Sequence, residues 1–259
     1  MENPTLATNP TSGENDFRDQ NAEFESLSKE LTEKELELST LEKKLSLFEG
    51  KYAKTVGILF AKLDEIEKEI AKELLRLNPK EEYRQGFHRA ERKAKASRNA
   101  VDEKVAQGEK EPFEPSEELK NLFYTVAKAV HPDFGTDPQE QALRNTLMAR
   151  ANEAYKKGDM EGLKQILKEW ENRDKRSYPE QTGLIQLDQL KQKIRQIKLR
   201  INIIETRISE LERSDLYQLM VNVEMAELEG RDLLGEMAKD LQEQILGANE
   251  LLASLQQKE

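Results

Sequence analysis

The chain contains no cysteine. Disulfides and thiolate metal sites are thereby excluded. The absence fits a reducing compartment, and a cytoplasmic location is expected. No apolar run approaches the roughly 20 residues of a membrane-spanning helix, so no membrane span is expected. The residues from Met1 to Pro10 carry no cationic segment followed by an apolar one, and no signal peptide is expected. There is no serine or cysteine nucleophile pattern, no glycine loop of the kind that cradles phosphates, and no cluster with metal-ligand spacing. Enzymatic activity, a cofactor and a bound metal are therefore not expected.

Aromatic residues are also scarce, at 6% of 259 positions, whereas charged residues reach 36% and equal the hydrophobic share. Charge rarely enters a core unpaired, so one large globule is excluded. The composition suits an all-α chain of long solvated helices around a small core. The net charge of −10 argues against broad nucleic-acid affinity, which clustered cations drive, but leaves room for a local basic patch.

Residues 1–20 are rich in Asn, Pro, Thr, Ser and Gly and are predicted to form a disordered tail. A coiled-coil pattern covers 21–78. Leu31, Leu38, Leu45, Tyr52, Leu59 and Ile66 recur every seven residues, with Leu27, Leu41 and Phe48 at the second seam position. After Leu59 the seam moves to Leu63, Ile70 and Leu77, one slip in phase. Gly50 and Gly57 lower the local helicity, and Asn78-Pro79 ends the pattern.

A second helix is predicted over 79–107. Between Lys80 and Arg98 it carries seven Lys/Arg against three Glu, with Tyr83, Phe87, Ala90 and Ala94 as a narrow apolar stripe. Such a stripe reads first as a surface helix packed on a neighbour. A polyanion or acidic-partner site is the sharper reading, although the lack of interleaved aromatics counts against nucleic acid. His88 has no histidine or cysteine at metal-ligand spacing and reads as a solvated or packing residue.

A linker with Pro112 and Pro115 follows at 108–115. Residues 116–170 then read as a small three-helix core. Ser116 caps a helix with Leu119, Leu122, Phe123, Val126 and Val130 on one face. A second helix bears Leu147, Met148, Ala151, Ala154 and Tyr155. Gly158 stops it, and Asp159 caps a short helix with Met160, Leu163, Ile166, Leu167 and Trp170. Such a core is marginal by size alone.

Between the first two of these helices stands His131-Pro132-Asp133. Proline disfavours helical dihedrals at the residue before it, so the helix is predicted to end near His131. Asp133 and Asp137 can bond local backbone and hold a turn. The imidazole and carboxylate are then expected at an exposed loop tip.

After a linker at 171–183, residues 184–259 carry the cleanest heptad in the chain: Leu187, Leu190, Ile194, Ile197, Ile201, Ile204, Ile208 and Leu211. Residues 184–213 have a net charge of +3 and residues 216–259 one of −6. Flanking charges of opposite sign favour pairing. An antiparallel hairpin bending near Ser214 is expected, the alternative being one long helix that dimerises; isoleucine at both seam positions favours more than two strands, which packing against the N-terminal coil would also meet. Ser214-Asp215 can cap a new helix, and Gly230 interrupts the stretch beyond it.

The segment Leu119–Leu167 resembles the J-domain of DnaJ-type co-chaperones. The likeness is carried by Leu-Phe-Tyr-Thr-Val-Ala-Lys-Ala-Val-His-Pro-Asp at 122–133 and Asn-Glu-Ala-Tyr at 152–155, with Met148 and Ala151 before it. It implies a J-domain-like core, to which Leu122, Val126, Met148, Ala151 and Tyr155 contribute, flanked by long coiled-coil helices. It also implies stimulation of a DnaK-type chaperone ATPase, with His131, Pro132 and Asp133 engaging it and Lys120 and Lys128 as the docking cations. The coiled coils would serve homo-oligomerisation or capture of a client.

Three departures from the family pattern stand out. The docking helix has only Lys120 and Lys128, offset by Glu117 and Glu118. The family's first helix is not recognisable, and residues 80–106 are expected to replace it by packing Tyr83 and Phe87 on the helix pair. No Gly/Phe-rich or cysteine-rich region follows. The alternative reading is a coiled-coil scaffold or assembly protein whose J-like domain serves only as an interaction module.

Overall fold

The computed structural model describes residues 12–106, 115–135, 138–172 and 183–258. Among them the ordered elements are helices and there is no strand, as the composition predicts. In chain order they are α1 (Ser12–Tyr52), a π-turn (Ala53–Gly57), α2 (Ile58–Leu77), α3 (Glu81–Ala106), α4 (Glu117–Val130), a 3-10 turn (Pro132–Phe134), α5 (Pro138–Lys157), α6 (Met160–Glu171), α7 (Gly183–Glu212), α8 (Asp215–Leu228) and α9 (Leu233–Gln256).

Helix begins at Ser12, so the tail predicted for 1–20 is corrected over its second half. Extending an existing helix fixes one residue per hydrogen bond and needs no new nucleus. The rest of that tail, and most of the linkers at 108–115 and 171–183, lie outside the described residues, as does Asp137.

The chain divides into two compact units. The first draws on Met1–Lys43 and Glu114–Leu211. Within it, α4 and α5 lie antiparallel, with the rings of Phe123 and Tyr155 4.7 Å apart at one end. Leu119, Phe123, Val126, Ala127 and Val130 of α4 are buried with Leu147, Met148, Ala151, Ala154 and Tyr155 of α5, and α6 adds Leu163 and Ile166. Leu122 is half-buried. The caps are those the sequence names. Ser116 Oγ accepts from Leu119 N–H and Asp159 Oδ1 from Gly162 N–H. Gly158 takes φ +71°, the left-handed conformation that glycine adopts without steric cost, and Asp159 N–H closes the α5 end on Ala154 O at 2.9 Å.

The aliphatic seam of α7 is buried on α1. Ile197, Ile201, Ile204 and Ile208 cluster with Leu31, and Phe24, Leu27, Leu38 and Leu41 pack around them. Lys198 donates to Glu23 at 2.6 Å and Arg200 to Glu35. The N-terminal coil thus supplies apolar partners and counter-charges to the α7 seam.

The second unit draws on Lys44–Phe113 and Glu212–Glu259. Here α2 packs against both α3 and α9, and α8 meets α9 across the turn at Gly230, whose φ is +75°. The chain does leave helix at Ser214, whose hydroxyl accepts from Tyr217 N–H, but it does not fold back at Gly230: Lys51 pairs with Glu227 and Arg76 bonds Lys258 O, so the chain runs past Gly230 in the same direction as the helices it packs on. The stripe of α3 faces α2: Ala94 is buried, and Ser97 and Lys93 both bond Asp64. Buried Asp64 and a close approach of Val101 to Gly57 of the π-turn hold α3, the helix that also carries Tyr83 and Phe87, on α2 within this unit.

Candidate functional site

The site is the turn after α4. Val130 is the last residue of that helix, and His131 leaves it at φ −59°, ψ 131°, the extended conformation required before proline. Pro132, Asp133 and Phe134 form a single 3-10 turn, closed by Phe134 N–H to His131 O at 3.1 Å and Gly135 N–H to Pro132 O at 3.0 Å. Gly135 lies so close to α5 that a Cβ there would meet the Gln141 backbone at 3.0–3.1 Å. Only glycine allows that approach without displacing the turn.

Arg144 fastens the turn from α5. Its guanidinium donates to Ala129 O at 2.9 Å and His131 O at 3.2 Å, carbonyls freed where α4 ends. The same group pairs with Glu140 at 2.9 Å and lies 4.3 Å from the Trp170 ring of α6. Helix-terminal carbonyls need such donors when buried.

His131 Nδ1 accepts from Asp133 N–H at 3.2 Å. An accepting Nδ1 puts the proton of the neutral ring on Nε2. That nitrogen faces Glu35 Oε1 of α1 at 3.7 Å, beyond hydrogen-bond length yet in electrostatic contact. Arg200 of α7 donates to the same Glu35 oxygen through Nε at 3.2 Å and Nη2 at 2.9 Å. Burial pushes the Glu35 carboxyl up, but His131 and Arg200 together more than offset this, and it stays below its ordinary range. Asp133 moves the other way: burial raises it, against the pull of His131 and Arg200 and with the push of Glu35. Its Oδ2 is buried and, among the described residues, has no hydrogen-bond partner.

These contacts overturn one expectation. The tripeptide does not stand at an exposed tip, because His131 is 1% exposed. The cover is α1 with α7: Phe134 packs into their aliphatic cluster, and its ring meets that of Phe24 edge-on at 5.6 Å. The two expected docking cations are engaged as well. Lys120 pairs with Glu117 of its own helix and Lys128 with Glu25 of α1. Val126, Met148, Ala151 and Tyr155 occupy the core assigned to them, and Tyr155 OH reaches Thr40 of α1 at 2.9 Å.

Sequence reasoning missed Glu35, Arg200, Phe134, Glu140 and Arg144. The spacing of Glu140 and Arg144 offered a signal, since residues four apart on a helix are neighbours. Glu35 and Arg200 offered none, being 165 positions apart in the chain. The chain matches no family model, no curated protein and no solved structure. Among the described residues, no helix is long and apolar enough to cross a membrane.

Proposed function

We propose that this protein is a J-domain co-chaperone or adaptor of the cytoplasm that stimulates a DnaK-type chaperone ATPase through His131, Pro132 and Asp133. The observation that carries this reading is the Asp133 carboxylate. It sits on a turn between two antiparallel helices, with a buried oxygen that has no hydrogen-bond partner among the described residues. An unpaired buried acceptor costs stability, and a residue needed only for the turn would not require it. A group kept ready for an external partner would.

The J-domain does no chemistry of its own. The turn supplies polar contacts to the hydrolysis-competent state of the ATPase, and contacts favouring one state shift its population. Lys120 and Lys128 provide the docking charge once freed from Glu117 and Glu25. The helices beyond serve oligomerisation or client capture. Met225, Leu228 and Leu246, which stand exposed on α8 and α9, offer apolar side chains to a client.

The test is ATP hydrolysis by a cognate DnaK in the presence of wild type and of His131→Gln. Stimulation is expected with wild type and its loss with the variant at unchanged helicity by circular dichroism. Failure of wild type to stimulate any cognate DnaK would remove the proposal. The burial of His131 favours a second reading, in which the domain is an assembly module of a coiled-coil scaffold. Retention of every binding partner by chains carrying His131→Gln, together with absent stimulation, is its signature.

A further inference from the structure

His131 is 1% exposed and out of reach of another protein, while Pro132, Asp133 and Phe134 are half-buried, so the cover over the turn bears on its function. We propose that the α1–α7 pair is a built-in cap over the His-Pro-Asp turn, and that the chaperone gains the turn only when the α4–α6 module swings off that pair. This rests on the co-chaperone reading and adds its regulation.

Three sets of contacts make the cap. At the centre, Phe134 enters the cluster of Leu31, Ile197, Ile201, Ile204 and Ile208. Beside it, buried His131 and Glu35 meet the partly exposed guanidinium of Arg200. At the rim, Lys128 pairs with Glu25 at 3.4 Å, Lys156 with Glu42 at 2.6 Å, and Tyr155 bonds Thr40. The same contacts cover the turn and tie down Lys128, so both parts of the docking surface are withheld together.

The cap is also built to open. The α4–α6 module has apolar contacts of its own, with Phe123 against Tyr155 and with Leu163 and Ile166 of α6 buried where that helix packs on α4 and α5. The closed state leaves His131 Nε2 and Asp133 Oδ2 buried without hydrogen-bond partners among the described residues, and opening supplies both with water or with the chaperone. A partner that binds only the open state shifts the equilibrium by its differential affinity.

The chain has two histidines, and His88, with 58% of its side chain exposed, is an internal standard. Diethyl pyrocarbonate labelling of the full chain, read by mass spectrometry, is expected to modify His131 at least about tenfold more slowly than His88, as protection by a minor open state requires. Glu35→Lys sets a cation against Arg200 and His131, and should bring the two rates within about threefold while raising ATPase stimulation several-fold. Equal labelling of both histidines in wild type would overturn the cap and leave the co-chaperone reading standing. Labelling of His131 in Glu35→Lys with no stimulation from either chain would instead defeat the co-chaperone reading and the regulation built on it.

A lock provides the converse measurement should Glu35→Lys unfold. In Glu42→Cys/Lys156→Cys, the two introduced thiols are the only ones in the chain, and a short bismaleimide would join α1 to α5 away from the turn. The cross-linked chain is expected to stimulate at least about fivefold less than the same chain before cross-linking. Equal stimulation by the two would refute the cap.

Discussion

Asp133 is where the fold and the proposed function pull apart. Its carboxylate is largely buried, its pKa is raised chiefly by that burial, and one oxygen has no hydrogen-bond partner among the described residues. A raised folded-state pKa means the fold prefers the neutral acid. The penalty is therefore absent below the ordinary carboxylate range and sets in as pH rises through the raised value. Asp133→Asn keeps the shape and removes the charge, and is expected to stabilise the protein by about 1 kcal/mol at neutral pH. The gain should close as pH falls toward about 4. Urea melts of both chains at the two pH values check this, and equal stability at neutral pH would contradict the picture of a strained carboxylate. The Glu35 carboxyl has the opposite sign. Its lowered pKa contributes stability above the ordinary range that is lost as pH falls through the folded value.

At the scale of elements, the break in heptad phase has a structural cause. The coil loses its first seam after Leu59 and resumes it through Leu63, and the π-turn at Ala53–Gly57 lies immediately before that change. A π-turn is one residue inserted into an α-helix. Deleting Thr55 should therefore convert it to regular helix and leave the buried face of α2 in register. Deleting Lys62 has no bulge to absorb it and rotates the following residues by about 100°, carrying Ile66 off the buried face. Thermal melts should show the first deletion within a few degrees of wild type and the second lower by about 10 °C or more. The phase slip and the caps at Ser116, Asp159 and Ser214 were legible because each depends on neighbours within a few residues. The place of α3 was not, because its stripe would fit any apolar neighbour, and the buried Asp64 that selects α2 reads in the sequence as one more surface charge.

At the scale of the molecule, each unit is assembled from two separated stretches of chain. In the first, α7 holds α1 in place through Ile204, 1% exposed in the seam. Ile204→Ala should cost about 2–4 kcal/mol by leaving a cavity. Because α7 and α1 together cap the turn, the same change should increase stimulation of a DnaK ATPase. Stability measured by denaturant and activity measured by hydrolysis are expected to move in opposite directions. A parallel fall in both would show that the seam supports the turn rather than restraining it.

The sequence by itself determined the helical class, the helix ends around the His-Pro-Asp turn and the aliphatic seam of α7. Periodicity, proline and capping side chains act over one or two turns, so their consequences are written locally. Tertiary structure alone decided which helix meets that seam, what fastens the turn and whether the turn is exposed. Those outcomes depend on contacts such as Glu35 with Arg200 and Phe24 with Phe134, between residues more than a hundred positions apart. Heptads and opposite charges permit several pairings. Packing chose the one in which α1 serves as partner to α7 and as cover for His131.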